Sequence, residues 1–380
     1  MNTLPYSDHH NAFRMKLREF LSSEVIPHVD QWEADHIVPK SIWKKMGSQG
    51  FLCTAASREY GGLGGDFLYS VIVIEEMVRT NHTGLMVQLH SDIVVPYIES
   101  FGSETQKRKV LPGCVTGDII LAVAMTEPNA GSDLASMVTT AVEEGDQVVI
   151  NGAKTFISNA INCDLIVLAA RDPSVDIPHK AMSLYLIEAG TPGFKKGNRL
   201  EKMGMHSQDT AELFFTNCRI EKEQLLGKKG QGFILLMQKL QQERLVCSIW
   251  ALAIAENILG WTKDYCKRNP RLGEPLAASQ AVQFALVEMM TEIRIGRAFV
   301  NQLVIDHMQK KEGAIETSMA KYWISDMANR VANRCLSMVG DIGMREKCPI
   351  VRMWRDIRVF SIFAGTNEVM KSIIAKSKAF

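Results

Sequence analysis

The sequence has no excess of charge of either sign, few aromatic residues and no paired cysteines. Its 380 residues include 43 basic and 42 acidic side chains, which give a formal net charge of +1. This balance lacks the basic character that is typical of nucleic-acid binding. The eight cysteines show neither CxxC pairs nor the spacing of metal ligands. We therefore expect no metal site, no nucleic-acid partner, and reduced thiols of the cytoplasmic type.

Long apolar segments and targeting segments are also lacking. Because we find no long uncharged apolar run, we expect no helix that spans a membrane. The N-terminal segment MNTLPYSDHH has neither a signal-peptide core nor an arginine-rich transit pattern, so the expected location is cytoplasmic. A hydrophobic content of 46% is that of an ordinary globular protein, here long enough for two or three domains.

What the sequence does contain is a change of hydrophobic period, from helical to β and back to helical. Residues 1–120 have apolar side chains at helical spacing, and residues 226–380 return to that spacing. Residues 121–225 carry short β-rich segments separated by turn residues. We therefore predict a mainly α protein with a central β domain, which would be a small barrel or sandwich.

Two parts of the chain allow more detailed predictions. In DQVVINGAKTFIS, two β-rich runs flank Asn151-Gly152, a pair that is typical of a hairpin turn. In the C-terminal part, helical runs extend over about 233–268, 279–310 and 314–338, and a short helix follows the turn at 364–367. Three long helices with a terminal one predict a four-helix bundle.

The segment AMTEPNAGSDLASM, residues 124–137, is the most specific motif. Thr126, Gly131 and Ser132 put hydroxyl and N–H groups on a loop at the edge of the predicted β domain, where they could bind a flat heterocycle or a pyrophosphate. Five blocks occur in order: MTEP-x-AGSD, NG-x-K-x-F-I-S-N, KMGMHSQDTAELFF, QQERL and GTNE. With these blocks the chain resembles the acyl-CoA dehydrogenase family, and QDTAELFF and QQERL resemble its long-chain members most.

The resemblance implies a fold and an activity. The expected fold has an N-terminal helical domain, a middle β-barrel or sandwich domain and a C-terminal four-helix bundle. The expected activity is FAD-dependent α,β-dehydrogenation of an acyl-CoA thioester to the trans-2-enoyl-CoA, as in fatty acid β-oxidation. Electrons would pass to an electron-transferring flavoprotein, and the assembly would be a homotetramer. In such enzymes the cofactor supplies the redox step, and the protein supplies placement and electrostatics.

The resemblance also implies roles for individual residues. Phe156 would pack against the flavin ring, Gln280 would contact the FAD of a neighbouring subunit, and the turn after residue 365 would hold the adenosine end. The implied FAD contacts are Met125, Thr126, Gly131, Ser132, Phe156, Ile157, Ser158, Asn269, Arg271, Gln280, Ser337, Gly340, Asp341, Thr366, Asn367 and Glu368. The implied contacts with acyl-CoA are Ser132, His179, Lys180, Gln241, Arg244, Ala364 and Gly365.

The catalytic base is predicted in the segment LQQERLVCSIWALAIAENI. Glu243 lies on an otherwise apolar stripe that includes Leu240 and Cys247, so burial would raise its pKa from the usual value of about 4.3. The alternative is an exposed Lys239–Glu243 pair, worth about 0.3–0.5 kcal/mol, and the pattern alone slightly favours it. The resemblance favours Glu243 as the base, because long-chain and isovaleryl-CoA dehydrogenases are similar in carrying theirs on this helix.

Many members of the family carry the base elsewhere, directly before the Gly-Thr of the C-terminal turn. This chain has Ala364 at that position, which has no proton acceptor. The backbone N–H of Ala364 is unaffected by the side chain. The resemblance implies that this N–H, with a ribityl hydroxyl of FAD, polarises the thioester carbonyl, a role that needs no side chain.

Several positions near the expected FAD depart from the family pattern. They are Asn269 for an Arg, Ser337 for a Gln, His206 for a basic residue and Asp341 for a Gly. Arg268 or Arg271 could replace the missing Arg. A carboxylate at 341 would repel the pyrophosphate unless a cation compensates it, so we expect FAD to bind more loosely than is usual.

Other functions stay open on the sequence. The departures allow a non-catalytic or half-site subunit of a hetero-oligomer, although such a subunit would not need Glu243 on an apolar stripe. A thioester on a carrier protein could replace acyl-CoA. Decarboxylation of glutaryl-CoA is not favoured, because decarboxylating members carry an Arg at the position matching Thr83, and no Arg lies between Arg79 and Arg108.

Overall fold

The structure, a computed structural model, describes residues 4–271 and 273–377 and begins with a layer of helices. The helices are α1 (Asp8–Glu24), α2 (Val29–Asp35), α3 (Lys40–Ser48), α4 (Phe67–Arg79), α5 (Val95–Phe101) and α6 (Glu104–Thr116). Side-chain caps fix where they begin: Ser7 and Ser103 each form a capping box, and Asp66 caps α4. A π-helical segment, Leu89–Val94, leads into α5. α4 is buried along most of its length, so this layer is built around it.

The middle of the chain forms one eight-stranded sheet in the order β6-β7-β3-β2-β4-β5-β8, with β1 parallel to β4. The strands are β1 (Leu121–Ala124), β2 (Thr140–Glu144), β3 (Gln147–Ile157), β4 (Leu165–Arg171), β5 (Met182–Glu188), β6 (Phe194–Arg199), β7 (Ala211–Glu221) and β8 (Leu225–Leu226). A short helix, α7 (Pro178–Ala181), precedes β5. The predicted central β domain is therefore present.

The predicted hairpin turn at Asn151-Gly152 is wrong. β3 continues through both residues, and the hairpin turn lies earlier, between β2 and β3, where Gly145 has a φ of 61°. The pairing of β3 with β7 instead shifts its register beside Gly152. A Cβ at Gly152 would lie 2.5 Å from Thr139 Oγ1, so the glycine permits a close backbone approach rather than a turn.

β4 is buried on both faces because the sheet separates two hydrophobic cores. Leu165 and Val167 belong to the large core that the sheet shares with the helices. Ile166 and Leu168, which point the other way, belong to a smaller core made by the strands alone. A strand buried on both faces explains the unbroken apolar segment LIVLAA that follows Asp164.

The C-terminal part is helical and contains α8 (Gly232–Arg268), α9 (Gln280–Met308), α10 (Ala314–Val339), α11 (Pro349–Ile357) and α12 (Asn367–Ser377). Two short strands, β9 (Pro270–Arg271) and β10 (Glu274–Pro275), connect α8 to α9. α10 packs along α8 and α12, and α9 packs against α8. The structure thus confirms the predicted order of a helical part, a β part and a helical bundle, while the domain limits at 120 and 225 stay predictions.

One of the described helices, α8, is long and apolar enough to cross a bilayer by length and composition alone. Of its most apolar stretch, 78% is buried inside the protein, as in the central helix of a helical bundle. Because α8 carries Glu243, Arg244 and Glu256, it does not contradict the prediction that the sequence holds no long uncharged apolar run.

Candidate active site

Glu243 lies on α8 with a carboxyl group that has no hydrogen-bond partner for its Oε2 among the described residues. The side chain is half-buried, and Oε2 is closed off from solvent. Burial raises the pKa of Glu243 to about 7, and the charges of Arg244 and Lys321 oppose that rise. An unpaired buried carboxyl with a shifted pKa is typical of a functional site.

The alternative pair between Lys239 and Glu243 does not form. Lys239 Nζ donates to Ser100 Oγ at 2.6 Å and lies 5.4 Å from the centre of the Phe101 ring. Lys239 is therefore directed to the end of α5, and Glu243 is left on the apolar stripe.

Two further polar side chains near Glu243 are buried. The Tyr97 hydroxyl has no partner among the described residues, and burial together with the Glu243 charge raises the pKa of Tyr97 well above its usual value. Arg244 donates from Nη1 to Ser318 Oγ at 3.3 Å, whereas its Nε has no partner in the described part of the chain. No pattern in the sequence pointed to Tyr97, because only the fold brings α5 beside this part of α8.

The C-terminal turn has an unusual backbone. Ala364 and Gly365 both have positive φ, at 55° and 85°. None of the hydrogen bonds within the described chain uses the Ala364 N–H. Phe363 packs on the ring of Phe360, with 4.8 Å between the ring centres, and Phe360 lies at 4.7 Å from Trp250 of α8. The turn is therefore fixed against α8 with a free backbone donor.

Lys321 of α10 connects this turn with Glu243. Its Nζ donates to the carbonyl oxygen of Gly365, and its charge opposes the rise in the pKa of Glu243. The structure thus brings together the two parts of the predicted catalytic site, Glu243 and the turn at Ala364, although 121 positions separate them in the sequence.

The loop at 125–132 lies beside Phe156. The Thr155 N–H donates to the carbonyl oxygen of Thr126 at 3.0 Å, which joins the loop to β3. Phe156 has a φ of 56° and is 67% exposed, whereas the next residue, Ile157, is buried. A large apolar ring held out of the sheet in a strained conformation is available to pack on a flat ligand.

The remaining predicted residues of this region differ in exposure. Gly131 and Ser132 are exposed at the tip of the loop, and the space beside Gly131 is open. Met125 and Ser158 are half-buried.

A buried ion pair, which the sequence analysis missed, holds the loop in place. Lys154 and Glu127 have side chains that are 0% and 1% exposed, and Lys154 Nζ donates to Glu127 Oε1 at 2.8 Å and to the Met125 carbonyl at 3.0 Å. Burial pushes the pKa of Glu127 upward, but Lys154 and the N–H groups of Val138 and Thr139 lower it overall. Glu127 belongs to the MTEP block and Lys154 to the NG-x-K block, and this membership was the feature of the sequence that could have pointed to the pair.

We expect Lys154→Met to lower the free energy of unfolding by about 3–5 kcal/mol, because Glu127 is left as an unpaired buried charge. FAD should also bind more weakly. Urea unfolding of the FAD-free protein and FAD titration measure the two effects. The control is Lys222→Met, since Lys222 and Glu143 form a pair that is about two-fifths exposed and should contribute less than about 1 kcal/mol. Equal stability of the two variants would contradict the role of Lys154.

The predicted FAD contacts of the C-terminal part lie at helix ends. Asn269 is half-buried at the end of α8, where Nδ2 donates to the Tyr265 carbonyl, and Gln280 is exposed at the start of α9. Ser337 is exposed near the end of α10 and donates to the Asn333 carbonyl. Of Arg271 only the backbone is described, so the prediction for its side chain lies outside the described structure.

A cationic side chain lies beside Asp341, as the argument from the sequence required for compensation of its charge. Its side chain is 88% exposed, and Arg345 Nη2 lies 3.5 Å from Asp341 Oδ2. Gly340, directly before it, has a φ of 65° at the end of α10. Because Arg345 offsets part of the negative charge, the expected weakening of FAD binding by Asp341 should be small.

The three residues that follow Gly365 are held in different ways. Thr366 Oγ1 accepts a hydrogen bond from the Val369 N–H, and Glu368 is exposed in the first turn of α12. Asn367 is buried, and its side-chain amide bonds to Lys321 and to Ser325. Any contact of Asn367 with a cofactor would therefore use its backbone.

The predicted substrate residues lie on two surfaces. His179 and Lys180 are exposed on α7, where the ring of His179 lies 4.4 Å from that of Phe233 at the start of α8. Gln241, one helical turn from Arg244, is half-buried and donates weakly, at 3.4 Å, to the Lys311 carbonyl. His179 and Lys180 therefore lie beside the start of α8, whereas Gln241 lies further along this helix.

Thr83 and His206 bear on the alternative functions that the sequence left open. Thr83 is buried, and its hydroxyl donates to Asp356 Oδ2 within the protein. His206 is half-buried on the loop after β6, with Nε2 3.1 Å from the Met203 carbonyl. Neither position supplies a cation to the surroundings of Glu243.

Comparison with known proteins shows which family has this arrangement. The N-terminal, middle and C-terminal domains of acyl-CoA dehydrogenase match residues 7–118, 122–218 and 230–379. The mitochondrial long-chain specific acyl-CoA dehydrogenase of Mus musculus is 42% identical over 98% of this chain and 86% of its own. The chain belongs to the acyl-CoA dehydrogenase family.

Solved structures agree with this assignment. The acyl-CoA dehydrogenase from Geobacillus kaustophilus is 49% identical, with a TM-score of 0.98 over the whole of both chains. A chain of the structure described as the electron transferring flavoprotein of Acidaminococcus fermentans is 32% identical, with a TM-score of 0.93 over 100% of this chain and 99% of that one. This acyl-CoA dehydrogenase family member is an FAD-dependent oxidoreductase, as the sequence predicted.

The residues present suit FAD. The exposed Phe156 ring stands beside the polar loop that carries Thr126 and Ser132, which offers an aromatic surface and hydroxyl groups to one ligand. The turn at Ala364-Gly365 has two successive residues of positive φ, a geometry that can direct N–H groups at a ligand. These features are those that a flavin with a phosphate-bearing tail requires.

Proposed function

We propose that this acyl-CoA dehydrogenase acts on a fatty acyl-CoA and that Glu243 takes the α-proton. The observation that carries the assignment is the buried Oε2 of Glu243, which has no partner in the described part of the chain. Ala364 cannot act as a base, and its turn is connected to Glu243 through Lys321. The unpaired carboxyl therefore supports proton abstraction from α8 rather than from the turn.

Glu243 has a protonation equilibrium that suits a general base. Its pKa of about 7, raised mainly by burial, leaves a large ionised fraction at neutral pH. A base near the operating pH combines the correct protonation state with a sufficient tendency to accept a proton. Since only the ionised carboxyl can accept the α-proton, the rate of dehydrogenation should rise with pH through about 7.

The Ala364 N–H would stabilise the charge that develops on the thioester oxygen. Loss of the α-proton moves negative charge onto this carbonyl, and a fixed donor at that point lowers the barrier. The aromatic contacts of Phe363 hold the turn, so the N–H needs no rearrangement when the charge forms. The alanine side chain leaves this donor in place and makes room for a carboxylate that comes from α8.

Bound FAD supplies the acceptor for the hydride that leaves the β-carbon. Phe156 would hold its ring, Thr126 and Ser132 its polar edge and phosphates, and the turn at Thr366 its adenosine end. The electrons must leave the protein before another turnover. We propose an electron-transferring flavoprotein as their acceptor, which the likeness to a chain of the Acidaminococcus fermentans structure supports.

We also propose a homotetramer. One face of α9 exposes the large apolar residues Phe284, Val287 and Ile295, at 58%, 58% and 59%. An apolar strip of this kind is typical of a surface that another chain covers. Gln280 begins the same helix and is exposed, which fits its predicted contact with the FAD of a neighbouring subunit.

The absorbance of the FAD-loaded protein tests the proposed activity. Butyryl-, octanoyl-, palmitoyl- and isovaleryl-CoA are mixed with it in turn, without oxygen. We expect the flavin absorbance to bleach, most quickly with palmitoyl-CoA, since the Mus musculus relative is a long-chain enzyme. Bleaching by a carrier-protein thioester alone would replace CoA in the proposal, and a protein that never binds FAD would overturn it.

A further inference from the structure

Lys321 is a charged side chain in an unusual place. It lies in the first half of α10 and is fully buried. Its Nζ donates to the Gly365 carbonyl and, at 3.1 Å, to Asn367 Oδ1. No carboxylate accepts a hydrogen bond from it among the described residues. An ammonium group buried with only neutral acceptors is costly, and burial lowers the pKa of Lys321 accordingly.

The surroundings of Lys321 contain the charged groups of the active site. Glu243, Arg244 and Cys247 from α8, together with Asp326 from α10, are the ionisable side chains that influence it. The groups that act on Glu243 or respond to it are Arg244, Lys321, Tyr97 and Cys247. Among the described residues, Arg244 and Lys321 are the cations whose charges act on the proposed base, and Lys321 is the one that also donates to the C-terminal turn.

The turn is held at two points on either side of Ala364. On one side, Phe363 packs against Phe360 and Trp250. On the other side, Lys321 holds Gly365 and Asn367, and Asn367 is itself bonded to the α10 side chains Ser325 and Asp326. Removal of Lys321 would release the Gly365 carbonyl, whereas Asn367 would stay bonded to Ser325 and Asp326. The Ala364 N–H, next to Gly365, would then be held in its direction from the Phe363 side only.

We propose that Lys321 is a positioning residue for the dehydrogenation. It directs the Ala364 N–H at the thioester carbonyl by holding the Gly365 carbonyl, and its charge favours the ionised form of Glu243. The inference rests on the proposed roles of Glu243 and Ala364. With these roles, the single buried side chain of Lys321 serves both Glu243 and the turn at Ala364, which explains why a charge is kept in the core.

The test uses Lys321→Met and Lys321→Gln in the full-length FAD-loaded protein. Loss of the charge should raise the pKa of Glu243, so the pH profile of flavin reduction should move upward by about one unit in both variants. Loss of the clamp should weaken binding of the enoyl-CoA product about tenfold in Lys321→Met, because the carbonyl donor is misplaced. Gln keeps a donor for Gly365, so Lys321→Gln should bind the product nearly as the wild type does. Calorimetry measures product binding without turnover.

Different outcomes separate the two proposals. If Glu243→Gln reduces its flavin at the wild-type rate, the proposed function itself is wrong. If Glu243→Gln is slow but both Lys321 variants keep the wild-type pH profile and product affinity, only the role of Lys321 is wrong. A purely structural role would lower the melting temperature without moving the pH profile. Should Lys321→Met fail to fold, the pH profile of Lys321→Gln decides the electrostatic part.

Discussion

Replacing Glu243 with Gln should slow flavin reduction by roughly 10²–10⁴-fold, which is the usual contribution of a positioned general base. FAD should remain bound, because Glu243 makes none of the predicted cofactor contacts. The amide is nearly isosteric, and Oε2 of the glutamate has no partner in the described structure that the substitution would take away. Substrate should therefore still bind next to a group that cannot accept its proton.

Stopped-flow absorbance with a saturating acyl-CoA measures this effect. Asp264→Asn is the matched control, since Asp264 is an exposed carboxylate on the same helix whose ion-pair partner among the described residues is Arg268, at 3.8 Å. The control should keep the wild-type rate. A Glu243→Gln protein that bleaches as quickly as the control would place the base elsewhere.

The same substitution should change the dependence of stability on pH. Folding raises the pKa of Glu243 from its ordinary value to about 7, so the folded chain holds this proton more tightly than the unfolded chain does. The contribution of Glu243 to stability is therefore lost as the pH rises toward 7. Glu243→Gln carries no such proton, so its stability relative to the wild type should increase over that range in thermal unfolding scans.

Part of the site could be predicted from the sequence because that part depends on local spacing. Glu243 stands on an otherwise apolar stripe, so a buried carboxyl was one of the two interpretations that helical periodicity allowed. Periodicity could not exclude the pair with Lys239, because whether a lysine turns toward Glu243 or toward Ser100 depends on the packing of α5. The unpaired Oε2 became visible only in three dimensions.

The buried lysines show why the rest could not be predicted. In the segment SMAKYWISD, Lys321 looks like an ordinary charge on a helix, and its acceptors lie 44 and 46 residues further along the chain. Lys154 likewise meets Glu127 across 27 residues. The prediction of a turn at Asn151-Gly152 failed for a related reason, since Gly152 permits the close approach of Thr139, directly before β2, and does not form a turn. Long-range contacts of this kind leave no periodic trace in the sequence.

Replacing Phe284 and Val287 with Asp should dissociate the assembly. Both side chains are more than half exposed on one face of α9, which we propose to be covered by another subunit. Two carboxylates there would have to lose their hydration when the subunits meet, without a partner to compensate them. The folded subunit should tolerate the change, because neither side chain belongs to its core.

FAD affinity should fall in the same variant, since Gln280 begins α9 and is the residue predicted to reach the cofactor of the neighbouring subunit. Light scattering after gel filtration gives the mass, and FAD titration gives the affinity, which we expect to weaken about tenfold for the loss of one or two polar contacts. Met15→Asp is the control: Met15 is 66% exposed on α1, far along the chain from α9. It should alter neither quantity. A double variant that keeps the mass of the wild type would show that α9 is not the interface. If the variant dissociates but its FAD affinity is unchanged, α9 is the interface, but Gln280 does not contact the FAD of the neighbouring subunit. Each FAD site would then be built within one chain.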